Sequence, residues 1–315
     1  MHLIVLLGQT SSGKSEMAVN LAKYLGNIWI VNCDSRQIYK QLDIGTGKVN
    51  GTWKDSTFYY QDIPHFLIDY IDPETTDYTL VNYVKDFNSL FKSKLLPEYV
   101  ILTGGTGLYA KAIVEKYNLG IVKSEFTDQY NSYKKSLISK SLEQLQSIYN
   151  SSLKTRVKLS NKVINNSDYH NPRRLFSRIL KAKASKNGWL ESISYPNFTF
   201  TSMFGIFVDQ KTLEEKIKKR LDSRIQSGLI NEVRQLQRLG RDRMLNLGLE
   251  YRLSQLYIEK IITEEEWRRR LLIENYQYAK RQLTWLKKQP DLIWINSLEQ
   301  LLDVINSSTL SPTKP

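Results

Sequence analysis

The residues with the clearest chemical meaning form the segment Gly8–Ser15, which reads Gly-Gln-Thr-Ser-Ser-Gly-Lys-Ser. It matches the pattern G-x-x-x-x-G-K-[ST] and lies between an apolar run, Leu3–Leu7, and a helical pattern, as that motif requires. Its glycines let backbone N–H groups point inward, and the helix start adds a positive dipole end. Lys14 would neutralise phosphate charge, and Ser15 is placed to ligate Mg²⁺. The segment therefore predicts a diphosphate or triphosphate site, rather than a Gly/Ser-rich turn with a stray lysine.

A carboxylate, Asp34, is expected close to this loop. It follows the apolar run Ile28–Val31, and ligands of open α/β sheets bind beside the carboxyl ends of the strands. The strand ending at Thr103 continues into Gly104 and supplies no aspartate, so hydrolysis of a nucleotide to do work is not the obvious use. A carboxylate beside a diphosphate can instead accept a proton from a nucleophile as the diphosphate departs. The structural alternative for Asp34 is a helix N-cap.

The elements that must position these residues alternate between strands and helices. This order predicts an α/β fold, a P-loop NTPase-like parallel sheet with helices on both faces. Buried strands are expected at 28–31, 99–103, 203–209 and 292–295, and helices at 14–25, 79–94, 211–227, 229–239, 248–258 and 263–287.

A change of composition near Glu115 marks a second region. Lys, Ser, Asn and Tyr replace the apolar runs there, while an amphipathic pattern continues through Leu137–Ile148 and a helix is expected at 172–183. We therefore divide the chain into a catalytic core, 1–115 with 199–315, and a small helical insertion, 116–198. The end, 307–315, is predicted to be a frayed tail.

The charge balance indicates a polyanionic partner such as nucleic acid. The 315 residues include 45 Lys+Arg against 32 Asp+Glu, and 19 against 11 of these lie in 211–290. Solvated helix faces are the alternative reading of those charges. No apolar run approaches the roughly 20 residues that span a bilayer, and the single cysteine, Cys33, suits a reducing compartment. We expect a cytoplasmic chain without membrane contact.

Seven blocks of the chain resemble, in order, the motif set of the tRNA dimethylallyltransferases (isopentenyltransferases) of bacterial type. They extend from residue 8 to residue 285 and so cover most of the chain. The blocks are Gly8–Ser15, Asp34–Tyr39, Asp43–Lys48, Pro64–Asp69, Gly104–Tyr109, Gly228–Val233 and Tyr278–Trp285.

The resemblance implies that the loop holds the diphosphate of dimethylallyl diphosphate, with Mg²⁺, and that the prenyl group moves to N6 of the adenine at tRNA position 37. Asp34 would accept the N6 proton, Thr106 would hold the diphosphate or the surroundings of the nucleophile, and Arg220 would contact the diphosphate. The adenine must be flipped out to reach the site. We expect a monomer that binds the anticodon stem-loop. The implied diphosphate-binding residues are Gly8, Thr10, Ser11, Ser12, Gly13, Lys14 and Ser15, with Ser15 also as metal ligand, and the implied tRNA-binding residues are Ser35, Arg36, Gln37, Arg173, Arg174, Lys280, Arg281 and Gln282.

The chain departs from the family pattern at several positions. Gln9 replaces a usual proline, Ser177 an arginine expected to touch tRNA, and Leu180 a glutamate. Gly248–Glu250 stands where a Gly-Tyr-Lys-Glu-like block is usual. These departures concern tRNA contacts more than the diphosphate site.

Three other functions fit parts of the sequence. An adenylate isopentenyltransferase would use the same donor but a free nucleotide, which leaves the insertion and the basic region unexplained. A P-loop small-molecule kinase is weakened by the Asp34–Gln37 block. A non-catalytic RNA-binding protein would need a damaged loop or a missing base, yet Lys14, Ser15 and Asp34 are all present.

Overall fold

The computed structural model describes residues 1–75, 78–92, 95–154 and 165–309. The chain separates into two compact units, residues 1–116 with 196–315, and residues 117–195. In the described part of the chain no helix is both long enough and apolar enough to cross a membrane.

The first unit is built on an eight-stranded sheet, and the second contains a two-stranded one. The larger sheet has the order β10-β9-β1-β6-β2-β5-β4-β3, and the smaller one pairs β7 with β8. The strands are β1 (His2–Gly8), β2 (Ile28–Asn32), β3 (Thr52–Lys54), β4 (Thr57–Tyr60), β5 (Ile63–Phe66), β6 (Tyr99–Gly104), β7 (Gly120–Val122), β8 (Leu190–Ser192), β9 (Phe200–Ile206) and β10 (Leu292–Ile295).

The helices follow in chain order, with short 3₁₀ turns at Ser124–Phe126 and Gln237–Leu239. They are α1 (Lys14–Leu25), α2 (Leu80–Leu90), α3 (Gly107–Val114), α4 (Thr127–Ile138), α5 (Leu142–Lys154), α6 (Asn166–Tyr169), α7 (Pro172–Lys186), α8 (Gln210–Gln226), α9 (Leu229–Leu236), α10 (Arg241–Asn246), α11 (Leu249–Ile258), α12 (Glu264–Leu286) and α13 (Leu298–Thr309).

The central strands are buried on both faces, which explains their continuous apolar runs. In β1 all residues from Leu3 to Leu7 are buried. Ile4 and Leu6 pack with α1 and α13 in one apolar cluster, while α3 and α12 contact β6 and β1. Since alternate side chains of a strand point to opposite faces, helices cover the sheet on both sides. The predicted α/β class is confirmed.

One edge of the sheet differs from the prediction of parallel strands. β4 pairs antiparallel with both β3 and β5, so the sheet is mixed. The two connecting turns use residues with left-handed backbone, Asp55 and Ser56 in one and Gln61 and Asp62 in the other. Tight hairpins need that conformation, and their turns most often contain Asn-Gly or Asp-Gly. Neither turn contains such a pair, so the sequence did not predict these two hairpins.

Most predicted elements are confirmed, with shifts at their ends. The strand expected at 203–209 ends at Ile206, because Asp209 accepts the Thr212 N–H and caps α8. The helix expected at 229–239 is α-helical only to Leu236, and α10 was not predicted. The helix α13 runs into the predicted tail as far as Thr309, and 310–315 lie outside the described residues.

The second unit packs its helices around a small apolar core. The amphipathic pattern from Leu137 to Ile148 spans two helices, α4 and α5, and the Ser141 side chain caps the second by accepting the Gln144 N–H. Leu180 is buried in this core, which explains an apolar residue there in place of a charged one. Ser177 donates its hydroxyl to the Arg173 carbonyl within α7.

Candidate active site

A cavity of about 1160 Å³ opens in the first unit, where β1, β2 and β6 end. Its lining includes the loop after β1, the turn 34–37, the loop 45–47 and Gly104–Gly105, together with residues of α8 and α12. Ligands of open α/β sheets bind at this edge. The fold thus brings the two main features of the sequence, the Gly8–Ser15 loop and Asp34, to one cavity.

The Gly8–Ser15 loop has the shape of an anion site. Ser11 and Gly13 have positive φ angles of 61° and 90°, so the chain curls before α1 begins at Lys14. No described side chain caps the first turn of α1, which leaves its N–H groups for an anion. The Ser12 hydroxyl is buried and has no hydrogen-bond partner among the described residues. A Cβ at Gly8 would lie 2.6 Å from Ser12 Oγ, so a larger residue there would displace this hydroxyl.

Lys14 provides the cation of the loop. Its Nζ donates to the Gln9 carbonyl at 2.6 Å, which holds the side chain over the loop. Burial, and secondarily the positive charge of Arg220, lowers the pKa of Lys14 to about 8. A bound anion would restore the preference for the charged form.

Helix α12 braces the loop from behind. Gln282 accepts the Thr10 N–H through Oε1 at 2.7 Å and donates from Nε2 to the Gly105 carbonyl at 3.1 Å. Gln9, which replaces the usual proline, donates to the Ala279 carbonyl of α12 at 3.1 Å. Gln282 is buried and both of its polar atoms are used within the protein, so it supports the loop, while its contact with tRNA stays a prediction.

The two oxygens of Asp34 have different surroundings. Oδ1 accepts the Arg36 N–H at 2.8 Å and the Gln37 N–H at 3.4 Å, so it caps the turn that follows. Oδ2 lies over Gly105, where a Cβ would approach to 2.7 Å. Asp34 can therefore cap the turn and still serve as the predicted base. One oxygen holds the turn, while the carboxylate lines the cavity.

Other residues of this turn are held by their neighbours. The Thr106 hydroxyl accepts the Ser35 N–H at 3.0 Å and donates to Ser35 Oγ at 3.1 Å. Thr106 is not among the residues that line the cavity in the described structure. It is therefore placed to orient Ser35 and the turn, and its contact with the diphosphate or with the surroundings of the nucleophile stays a prediction. Gln37 donates to the carbonyls of Thr46 and Gly47.

Two arginines of α8 meet at the loop 45–47. Arg220 donates to Thr10 Oγ1 at 2.9 Å and to the Thr46 carbonyl at 3.4 Å, so it contacts the Gly8–Ser15 loop. Its contact with the diphosphate stays a prediction. Arg224, which the sequence did not single out, forms an ion pair with Glu250 at 2.7 Å. A Cβ at Gly47 would collide with both guanidinium groups.

A buried carboxylate holds the same loop from the other side. Glu232 accepts the consecutive N–H groups of Asp43, Ile44 and Gly45 at 3.1, 2.7 and 3.0 Å, and the Tyr251 hydroxyl at 2.7 Å. Successive backbone N–H groups form a natural anion nest. Glu232 therefore fixes the loop against which Arg220 is packed.

Comparison with known proteins decides the family. A model of the IPP transferase family matches residues 37–289. The chain belongs to this family. It is 34% identical over 302 residues to a tRNA dimethylallyltransferase of Syntrophus aciditrophicus, covering 93% of each chain. It is 32% identical to one of Parabacteroides distasonis, covering 91% of this chain and 88% of the other.

Solved structures of the IPP transferase family share the fold. A tRNA isopentenylpyrophosphate transferase of Staphylococcus epidermidis has 28% identity and a TM-score of 0.62, with 98% of each chain covered. A eukaryotic dimethylallyltransferase acting on tRNA has a TM-score of 0.71 at 21% identity, with 100% of this chain and 81% of the other covered. The second likeness supports the fold alone.

The residues that the IPP transferase resemblance assigns to tRNA fall into separate groups. Arg36 and Arg281 line the cavity together with Ser35 and Gln37, and Lys280 is exposed on α12. Arg173 and Arg174 lie exposed on α7 of the second unit, where Arg174 pairs with Asp168.

Sequence reasoning missed three residues that shape the site: Arg224, Glu232 and Tyr278. Glu232 lies inside a recognised block, but nothing local shows that its partners are the N–H groups at 43–45. The hydroxyl of Tyr278 would lie 3.5 Å from a Cβ at Gly105, beside Asp34 Oδ2, and burial raises the pKa of Tyr278. Its phenol therefore stays protonated and can donate a hydrogen bond in the cavity.

Proposed function

We propose that this chain transfers the dimethylallyl group from dimethylallyl diphosphate to N6 of the adenine at tRNA position 37, next to the anticodon, and releases diphosphate. The observation that carries the proposal is the shared cavity: an anion loop with Lys14 and Arg220, and a carboxylate, Asp34, with one oxygen not used by the turn. A prenyl transfer needs both the anion loop and the carboxylate. The class of reaction is inferred from the names of the relatives.

The loop and its cations would bind the leaving group. An allylic C–O bond breaks with cation character, so catalysis consists mainly of stabilising the departing diphosphate and aligning the amine. The N–H groups at the start of α1, Lys14 and Arg220 would take this charge. Burial of Lys14 and Arg220 strengthens their attraction for the diphosphate, because little water screens it.

Asp34 would accept the proton that N6 loses when the new C–N bond forms. The Arg36 and Gln37 N–H groups hold Oδ1, so the carboxylate has a fixed direction toward the cavity. Ser35, Arg36 and Gln37, on the same turn, would contact the flipped adenine and its neighbours. The exposed basic residues Lys280, Arg281, Arg173 and Arg174 would contact the anticodon stem-loop phosphates.

A magnesium ion fits the donor set that is present. Ser15 lines the cavity at the start of α1, and no cluster of three or more His, Cys, Asp or Glu that could hold a metal occurs in the described residues. Mg²⁺ commonly takes one or two protein ligands and completes its shell with phosphate oxygens and water. Ser15 would be the protein ligand, and the ion would neutralise charge on the leaving diphosphate.

We propose a monomer that works in the cytoplasm, where Cys33 stays reduced.

The test is transfer from radiolabelled dimethylallyl diphosphate, with Mg²⁺, to total tRNA and in parallel to AMP. Label in tRNA alone, mapped by nuclease digestion to the adenine at position 37, is the expected result. Label in AMP would assign the chain to the free-nucleotide enzymes. Label in neither, with ATP consumed instead, would make the cavity a kinase site.

The affinity for inorganic pyrophosphate is expected to fall as pH rises above about 8, the pKa of Lys14 in the folded chain. Below this pH the ammonium of Lys14 is charged and attracts the anion. Above it the proton is lost, so the affinity should be about tenfold lower at one pH unit above the pKa. Calorimetric titration without Mg²⁺ from pH 7 to pH 9.5 measures this. Pyrophosphate itself loses a proton within this range, so the reference is Lys14→Gln, which should bind weakly and without the fall in affinity above about pH 8. A wild-type profile parallel to that of Lys14→Gln would contradict the role of Lys14.

Glu232→Gln is expected to raise KM for the donor about tenfold with a smaller change in kcat. The amide offers one acceptor oxygen and directs an NH₂ group at backbone donors, so the loop 43–48 loosens and Arg220 loses its support. Steady-state kinetics with saturating tRNA, well below the unfolding temperature, measure KM for the donor and kcat separately. Tyr251→Phe removes a single hydrogen bond to Glu232 and should change KM little. An unchanged KM in folded Glu232→Gln would show that the loop does not position Arg220.

A further inference from the structure

Arg224 occupies an unusual place for an arginine. It lies four residues after Arg220 on α8, hence one turn further along the same face, and only 8% of it is exposed. It also lines the same cavity as Lys14 and Asp34. Arginines are almost never fully buried unless they are paired or bind a ligand.

The ion pair with Glu250 uses only part of this guanidinium. Nη1 donates to Glu250 Oε1 at 2.7 Å. Nε is buried, and neither it nor Nη2 forms a hydrogen bond with any residue that the structure describes. A guanidinium carries five N–H donors in a fixed planar fork, so most of its donor capacity is not used. Leaving buried donors without acceptors is unfavourable, because they lose their hydrogen bonds to water and gain none in return.

Arg224 also forms a pair of like charges with Arg220. The Nη2 atoms of both would lie within 2.5 Å of a Cβ at Gly47, so the guanidinium groups are neighbours over the backbone of that residue. Among the described residues, Arg220 donates hydrogen bonds to two neutral acceptors, Thr10 Oγ1 and the Thr46 carbonyl. Two carboxylates, Glu250 and Asp34, therefore lie near the two guanidinium groups and Lys14. The three cations exceed the two carboxylates by one positive charge. Such an excess of positive charge is relieved by a multivalent anion.

We propose that Arg224 is a second diphosphate-binding guanidinium, which holds the donor jointly with Arg220, and that Glu250 keeps it in position. The diphosphate of the donor offers five non-bridging oxygens and free pyrophosphate six, more acceptors than Lys14 and Arg220 can fill, and planar guanidinium groups suit phosphate oxygens. The inference rests on the proposed diphosphate site. It also accounts for Glu250, an acidic residue in a block where the family pattern usually has a lysine.

The test is calorimetric binding of inorganic pyrophosphate to the paired variant Arg224→Met with Glu250→Gln. Changing both residues avoids a buried carboxylate without its partner, which would destabilise the fold. We expect affinity to fall at least about tenfold, with tRNA affinity unchanged in a filter-binding assay. Pyrophosphate affinity within twofold of wild type would overturn the inference.

A matched control is available in a second Arg–Glu pair outside the cavity. Arg241 donates to Glu259 at 2.9 Å, and neither lines the cavity in the described structure. Arg241→Met with Glu259→Gln should bind pyrophosphate as wild type does. If the Arg224 double variant does not fold, Arg224→Lys keeps a charge near Glu250 but loses the planar fork. It should still bind more weakly, and wild-type affinity there would equally overturn the inference.

The outcomes separate this inference from the proposed function. If wild type binds pyrophosphate, Arg220→Ala does not, and the Arg224 double variant does, the diphosphate site stands and Arg224 is only structural. If wild type shows no binding, the diphosphate site and the role of Arg224 are both overturned.

Discussion

Replacing Asp34 by asparagine is expected to lower kcat for prenyl transfer by on the order of 100-fold or more, with little loss of tRNA affinity. Asparagine keeps the size of the side chain, and its oxygen can still accept the Arg36 and Gln37 N–H groups that Oδ1 accepts now. The turn should therefore keep its shape, and only the capacity to take up a proton is lost. Single-turnover transfer from labelled dimethylallyl diphosphate to tRNA, beside filter binding of tRNA, measures both quantities.

Two further variants make the Asp34 result specific. Asp62→Asn changes an exposed aspartate at a hairpin turn, where asparagine tolerates the positive φ angle, and it should leave the rate unchanged. Gly105→Ala retains the Asp34 residue but directs a methyl group to within 2.7 Å of Oδ2, so it should displace the carboxylate and lower kcat as well. If Asp34→Asn turned over as fast as wild type, Asp34 would not be the base.

Arg220→Ala is expected to act on the donor, lowering kcat and raising KM for dimethylallyl diphosphate together, with kcat/KM reduced on the order of 100-fold. The guanidinium contacts the Gly8–Ser15 loop through Thr10, so its removal takes one cation from the diphosphate site and one brace from the loop. Steady-state kinetics varying the donor at saturating tRNA give both parameters. The expectation follows from geometry, since Arg220 and Lys14 line the same cavity.

The control for Arg220 is an arginine with an unrelated partner. Arg238 is exposed and donates to Gln41, so Arg238→Ala should leave donor kinetics as they are. If Arg220→Ala weakened tRNA binding alone, the residue would be a backbone contact of tRNA and the diphosphate would rest on Lys14 and the loop N–H groups.

The local units of this protein follow from short stretches of its sequence. The strand β1, the loop Gly8–Ser15 and the helix α1 are contiguous, so their apolar run, glycines and helical spacing specify them without distant partners. The same holds for Asp34, which follows a buried strand and so had to reach the carboxyl edge of the sheet. The parallel core was predictable for this reason, and the hairpin edge was not, because Asp55 and Ser56 give only a weak turn signal.

Which side chains support the site and which line it depends on the packing of elements that are distant in the sequence. Gln282 contacts Thr10 across 272 residues of chain, and Glu232 reaches the N–H groups at 43–45 across almost 190. No local pattern encodes such pairs, because they depend on where α9 and α12 pack against the sheet. The same packing placed Thr106 behind Ser35 and brought Arg224 to Glu250. Motif spacing can therefore name a functional residue, but the partners that orient it are fixed by the packing of distant elements.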